Sequence, residues 1–199
     1  MNRVLRSVLV LIAVSVNVAH ADDKEQKFSA RLSGYNEVHF AAGNADVTPS
    51  VPPAIRGAIS TKASGSFSAQ LNKAGDIIDY TLNYRGLEGS VTQAHIHFGQ
   101  AGTVGGIVVW LCQTATNQPP APLNDPKITP ICPAEGTVKG TITAVQVLAQ
   151  TLQGISAGEF GELVRALRAG ATYANVHSSL HGPGEVRGQV KLEERKDRD

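Results

Sequence analysis

Short runs in which apolar and polar residues alternate, separated at close intervals by glycine and proline, restrict this chain more than any other feature. In "KFSARLS", Phe28, Ala30 and Leu32 alternate with Ser29, Arg31 and Ser33. Successive strand side chains point to opposite faces, so each such run has one apolar face to bury. "SFSAQL" repeats the pattern with Phe67, Ala69 and Leu71, and "IDYTLNY" places Ile78, Tyr80, Leu82 and Tyr84 on one side. "QAHIHF" does the same with Ala94, Ile96 and Phe98, whereas "GIVVWLC" is apolar throughout and predicts a strand buried on both faces or beneath a loop. "GTVKGTITAVQV", "TYANVHS" and "GEVRGQVKL" supply three more candidates. The expected fold is all-β, a Greek-key-like antiparallel β-sandwich or barrel.

One segment has a different period. In "SAGEFGELVRALRAG", Phe160, Leu163, Val164 and Leu167 recur at helical spacing, which predicts a short capping helix near 157–169. Ser156 and Glu159 have the spacing of a capping box, and Gly170 is placed to end the helix. Residues 39–53 and the proline-rich 117–133 read as loops. The charged "LEERKDRD" leads into a flexible tail at 193–199.

The first 21 residues read as an export signal: Arg3 and Arg6 precede an apolar run from Val8 to Val18, and Ala19-His20-Ala21 offers small residues for cleavage. The apolar run is short for a bilayer span. Residues 22–192 are then expected to form one secreted or periplasmic domain. Losing Arg3 and Arg6 leaves 16 of the 18 basic side chains against 17 acidic ones. A charge this close to neutral gives no reason to expect a nucleic-acid or membrane partner. Cys112 and Cys132 are the only two cysteines, and in an oxidising compartment they are expected to form a structural disulfide.

His95 and His97 stand one strand step apart and therefore share a face. Alternation in "TYANVHS" puts Tyr173, Asn175 and His177 on one face, and in the next run Glu185, Arg187 and Gln189 oppose Val186 and Val190. These polar sets are expected on the outer, solvated face. If the two histidine strands share a sheet, His95, His97 and His177 meet as metal ligands; otherwise the pair is only a wet strand face. His181 and His39, both in loops, are weaker candidates for a fourth ligand, and Asn175, Glu185 and Arg187 for supporting positions.

The segments "FSARLSGYNEV", "IDYTLNYRGLEGSVTQAHIHFGQAGTVGGIVVWLC", "GTITA" and "GEFGELVRALRAGATYANVHSSLHGPGEVRGQV" resemble, in order, the CHRD domain, named from chordin and common in secreted bacterial proteins. The family's A-H-I-H, N-V-H-[ST] and P-G-[GE]-[IV]-R-G-Q motifs map onto Ala94 to His97, Asn175 to Ser178 and Pro183 to Gln189. The resemblance implies an extracytoplasmic all-β domain whose activity is generally unassigned. The chain departs from the family's N-E-V-P-P run, because an insertion containing His39 and Asp46 separates Asn36-Glu37-Val38 from Pro52-Pro53.

"GLEGSVTQAHIHFGQAG" is also similar in layout to copper-zinc superoxide dismutases, in which an H-x-H strand supplies two copper ligands and a later strand another. That likeness implies copper ligands at His95, His97 and His177. No counterpart of the zinc subsite lies between His97 and Cys112, which leaves a mononuclear site. Imidazole suits copper or zinc, and three ligands leave a position open. The expected function is a non-catalytic binding module with a surface histidine cluster that takes copper or zinc. The alternatives are a mononuclear copper redox enzyme and a metal-free adhesion or protein-interaction module.

Overall fold

The alternation of Phe28, Ala30 and Leu32 with polar neighbours produces a strand, β1 (Gln26–Ser33), whose three apolar side chains are all buried. The computed structural model describes residues 25–41 and 54–194, with side chains for 25–38 and 57–194. Further along the chain come β2 (Val38–Ala41), β3 (Ala54–Gly57), β4 (Ser64–Leu71), β5 (Ile78–Arg85), β6 (Val91–Phe98), β7 (Gly106–Cys112) and β8 (Gly136–Ile142). They are followed by α1 (Phe160–Arg168), β9 (Thr172–Ser178), β10 (Val186–Gln189) and β11 (Lys191–Leu192).

Nine of these strands form one antiparallel sheet in the order β7-β6-β9-β10-β1-β4-β5-β8, with β11 extending the pairing of β1. The edge strands β7 and β8 approach each other, so the sheet curls into a nearly closed barrel. Across the interior the Tyr80 hydroxyl of β5 donates to the Leu111 carbonyl of β7 at 2.6 Å. Phe28, Phe67, Ile78, Leu82, Tyr84, Ile96, Leu111, Ile142, Val176 and Val186 fill the core, the apolar faces that alternation predicts. Val108 and Val109 are adjacent, both fully buried and in the same core, because register shifts against β6 interrupt the alternation of β7, whereas Ile107 and Trp110 are half-buried. The all-β expectation with one helix is borne out.

The details differ in three places. Residues 38–41 and 54–57 pair antiparallel, although local composition predicts a loop over 39–53 and gives no strand signal at 54–57. After β8 the chain does not continue as a strand through "AVQ"; Thr143 and Gln146 form a capping box around a 3₁₀ turn. The helix starts later than position 157, because Gly158 has φ 81°, outside the helical region. Ser156 N–H does donate to Glu159 Oε2 at 2.7 Å, but this contact lies in the turn ahead of α1. At the other end Gly170 N–H bonds Leu167 O at 3.1 Å and Ala171 N–H bonds Ala166 O at 2.9 Å, the pairing of a Schellman cap. Phe160, Leu163, Val164 and Leu167 turn inward and join the core. No helix among the described residues is long and apolar enough to cross a membrane.

Cys112, at the end of β7, is bonded to Cys132 in the connection to β8. Residues 1–24, which include the expected signal, and 195–199 of the expected tail lie outside the described residues.

Candidate metal centre

Strand register aligns polar residues from four neighbouring strands in one row. His95 of β6 faces Trp110 of β7 on one side and Asn175 of β9 on the other, and Asn175 in turn faces Arg187 of β10. In the next row on the same face, His97 pairs with Tyr173, and Tyr173 with Gln189. Because β9 runs beside β6, His177 lies diagonally from His95, and their rings are 4.9 Å apart between centroids. The condition set by the sequence, that both histidine strands share a sheet, is met.

The expectation of a solvated face is wrong. His95, His97 and His177 are 0%, 7% and 5% exposed, and Asn175, Glu185 and Arg187 are also buried. What covers them is the loops that follow β6 and β9 together with a distant segment at Glu37. The loop after β6 folds back over the face: His97 Nδ1 donates to Gly105 O at 2.9 Å, and Arg187 Nη2 to Gln100 O at 3.1 Å. From the other side His177 Nδ1 donates to Gly182 O at 2.8 Å. A third cover comes from Glu37, which follows a 3₁₀ turn at Gly34–Asn36 that Ser33 caps. A Cβ at Gly184 would lie 2.3 Å from Glu37 Oε2, so only glycine leaves room for this carboxyl. Aromatic side chains close the ends, with Trp110 edge-on to His95 at 4.3 Å and Tyr173 stacked on His97 at 4.7 Å. The Arg187 guanidinium lies 3.3 Å above the opposite ring of this stack, that of Tyr173.

These contacts determine which nitrogens carry lone pairs. A carbonyl only accepts, so the Nδ1 atoms of His97 and His177 hold protons and their Nε2 atoms are basic in the neutral rings. His177 Nε2 lies 3.1 Å from His95 Nδ1 and 3.1 Å from Asn175 Oδ1. One ligand atom from each of the three histidines falls within 4.8 Å of the others. Buried His97 Nε2 and His95 Nε2 have no hydrogen-bond partner among the described residues.

Burial also governs protonation. His95 is pushed well below the ordinary imidazole range, first by burial and then by the charges of His177 and His97. His97 is lowered to about 4, chiefly by burial, against the opposing effect of the Gly105 hydrogen bond. Both rings are neutral at physiological pH, the form that ligates metals. Glu37 moves the other way, to about 7, because burial outweighs the Val38 N–H, Arg187 and the Asn175 side chain. Its Oε2 lacks a hydrogen-bond partner among the described residues. A cleft of about 720 Å³ opens beside Glu37 and Arg187, with Arg31 and Lys191 among its lining residues.

The other predicted positions separate. His181 does not join the three histidines; it contacts Glu88 and lies within 4.8 Å of a Glu185 carboxyl oxygen instead. Glu185, expected outward, is fully buried with Oε1 accepting from the Thr61 hydroxyl and the Glu88 N–H. The backbone of His39 belongs to β2, opposite Arg56, and its side chain lies outside the described residues. Sequence reasoning missed Glu37 and Trp110 as parts of this site. Glu37 sits in the N-E-V motif, whose spacing to the histidines carries no information about contact; Trp110 is hidden in an apolar run.

A comparison with curated proteins finds no match. The family model of the CHRD domain matches residues 28–190, a span from β1 to the end of β10 that includes every buried histidine. The chain therefore belongs to the CHRD domain family.

Proposed function

We propose that this protein is an exported binding module that holds a single copper or zinc ion through His95, His97 and His177. Membership of the CHRD family supports a binding role of unspecified kind, and the disulfide fits an oxidising, extracytoplasmic location. The observation that carries the metal reading is the convergence of three imidazoles in a buried pocket, two of them with Nδ1 committed to backbone carbonyls. Such outer hydrogen bonds fix ring orientation and tautomer, the usual support of a histidine ligand. The ligand nitrogens are then His97 Nε2, His177 Nε2 and His95 Nδ1, the atom that faces His177. A bound ion would supply positive charge where lone pairs crowd together, and three protein ligands leave a further position open. The chemistry of the donor set, all imidazole, suits copper(II) and zinc above harder ions.

Trp110 is the only tryptophan of the chain and packs against His95, which makes it a reporter. Titration of untagged protein with copper(II) is expected to quench its emission with an end point of one equivalent. His95→Ala, His97→Ala and His177→Ala should each weaken that response strongly, because two imidazoles hold the ion poorly. Quenching by His177→Ala at wild-type affinity would refute the reading.

A further inference from the structure

We propose that Glu88, His181 and Glu185 form a second divalent-cation site, of zinc type, that pins the β5–β6 connection to the β9–β10 connection. One ligand atom from each of the three lies within 4.8 Å of the others, and none of them belongs to the histidine triad. His181 Nε2 and Glu88 Oε2 are 3.1 Å apart. Two ligands on one tetrahedral zinc ion are separated by about 3.3 Å, so this pair needs little movement to bind.

The independent sign of a ligand is Glu185. It is 0% exposed; Oε1 takes the Thr61 hydroxyl at 2.7 Å and the Glu88 N–H at 2.9 Å. Its Oε2 is equally buried and has no hydrogen-bond partner among the described residues. A carboxylate oxygen removed from water without a donor is unfavourable, and a cation in the cluster offsets that loss. The protein has already drawn the two connections together. Ser179 N–H bonds Ser90 O at 2.8 Å and Ser90 N–H bonds Ser179 Oγ at 3.1 Å. A Cβ at Gly89 would meet the Leu180 backbone nitrogen at 2.8 Å, so the approach depends on glycine. His181 is held by its own N–H to Ser178 Oγ at 3.1 Å.

Unlike the triad, this cluster reaches solvent, since the Glu88 and His181 side chains are 39% and 20% exposed. One imidazole with two carboxylates is a harder donor set than three imidazoles, and it favours zinc or manganese over copper(I). Zinc is the probe that tests it.

The test uses untagged protein exchanged into zinc, freed of excess metal and counted for metal per chain by native mass spectrometry. His97→Ala is expected to retain one zinc. Glu88→Gln and His181→Ala should each weaken that zinc by more than about tenfold, while keeping the copper(II) quench of Trp110. If His97→Ala holds no zinc while the wild type holds one, this inference is overturned and the triad reading stands. If the copper(II) response is absent but one zinc is bound and lost in Glu88→Gln, the triad reading fails and this one is supported. A zinc count unchanged by both Glu88→Gln and His181→Ala also overturns it.

Discussion

A single carboxyl, Glu37, opposes the histidines in the response of this protein to acid. Its folded pKa of about 7 stands above the ordinary 4.5, so the native state holds a proton that the unfolded chain releases between these values. Stability from this group is therefore greatest below pH 4.5 and declines as pH rises to 7. His97, lowered from 6.5 to about 4, acts in the opposite sense: its contribution is complete above pH 6.5 and is lost as pH falls through 4. His95 follows the same direction. Two imidazoles outweigh one carboxyl, and the metal-free protein should lose stability on acidification below about 6.5. Replacing Glu37 by Gln removes that opposing group. Relative to wild type, Glu37→Gln should gain on the order of 2 kcal/mol between pH 5 and pH 8. Denaturant unfolding of both proteins at the two pH values checks this; parallel pH curves would exclude it. The same burial changes an expectation drawn from sequence. An exposed histidine site would release metal near pH 6.5, whereas a ring with a pKa of about 4 competes with protons only in stronger acid.

Among the elements, β6 and β7 form the wall of the site, and the disulfide anchors the end of that wall. Cys112 pairs in register with Ala94, one residue from His95, while Cys132 lies 20 residues further along the chain. Closing a loop of this length stabilises the native state by about 3 kcal/mol in the chain-entropy account. Neither sulfur belongs to the histidine group. The double variant Cys112→Ala/Cys132→Ala should thus lower unfolding free energy by about 3 kcal/mol and keep the copper(II) end point at one equivalent. Loss of the metal response in a folded double variant would contradict the separation of bridge and site. Element boundaries were only partly legible in the sequence. Apolar alternation gives β1, β4 and β5 directly, since one face of each meets the core. The hairpin of β2 and β3 has no such signal, because it pairs only with itself, outside the main sheet.

Taken as one body, the barrel wraps one histidine row in its own loops, and the disulfide fits an oxidising compartment. The leader reading predicts a mature chain beginning at Asp22, with Cys112 linked to Cys132 and no free thiol. Intact mass and N-terminal sequencing of the protein recovered from an exporting host check both; an uncleaved chain with two alkylatable thiols would count against export. Local signals in the chain predicted most strands of the main sheet, the shared face of His95 and His97, a third imidazole on the polar face of another strand and the cysteine pair. Those follow from local rules: a period of two residues, a turn residue, a count of cysteines. That the polar face is a buried pocket follows only once the chain is folded. Its cover is made by Glu37, by the loop ending at Gly105 and by the turn at Gly182, three pieces far apart in the chain. Folding likewise places His181 and Glu185 beside Glu88 rather than beside the three histidines. Local alternation can state which side of a strand a residue occupies; what lies against that side depends on the closure of the sheet and the return of distant loops.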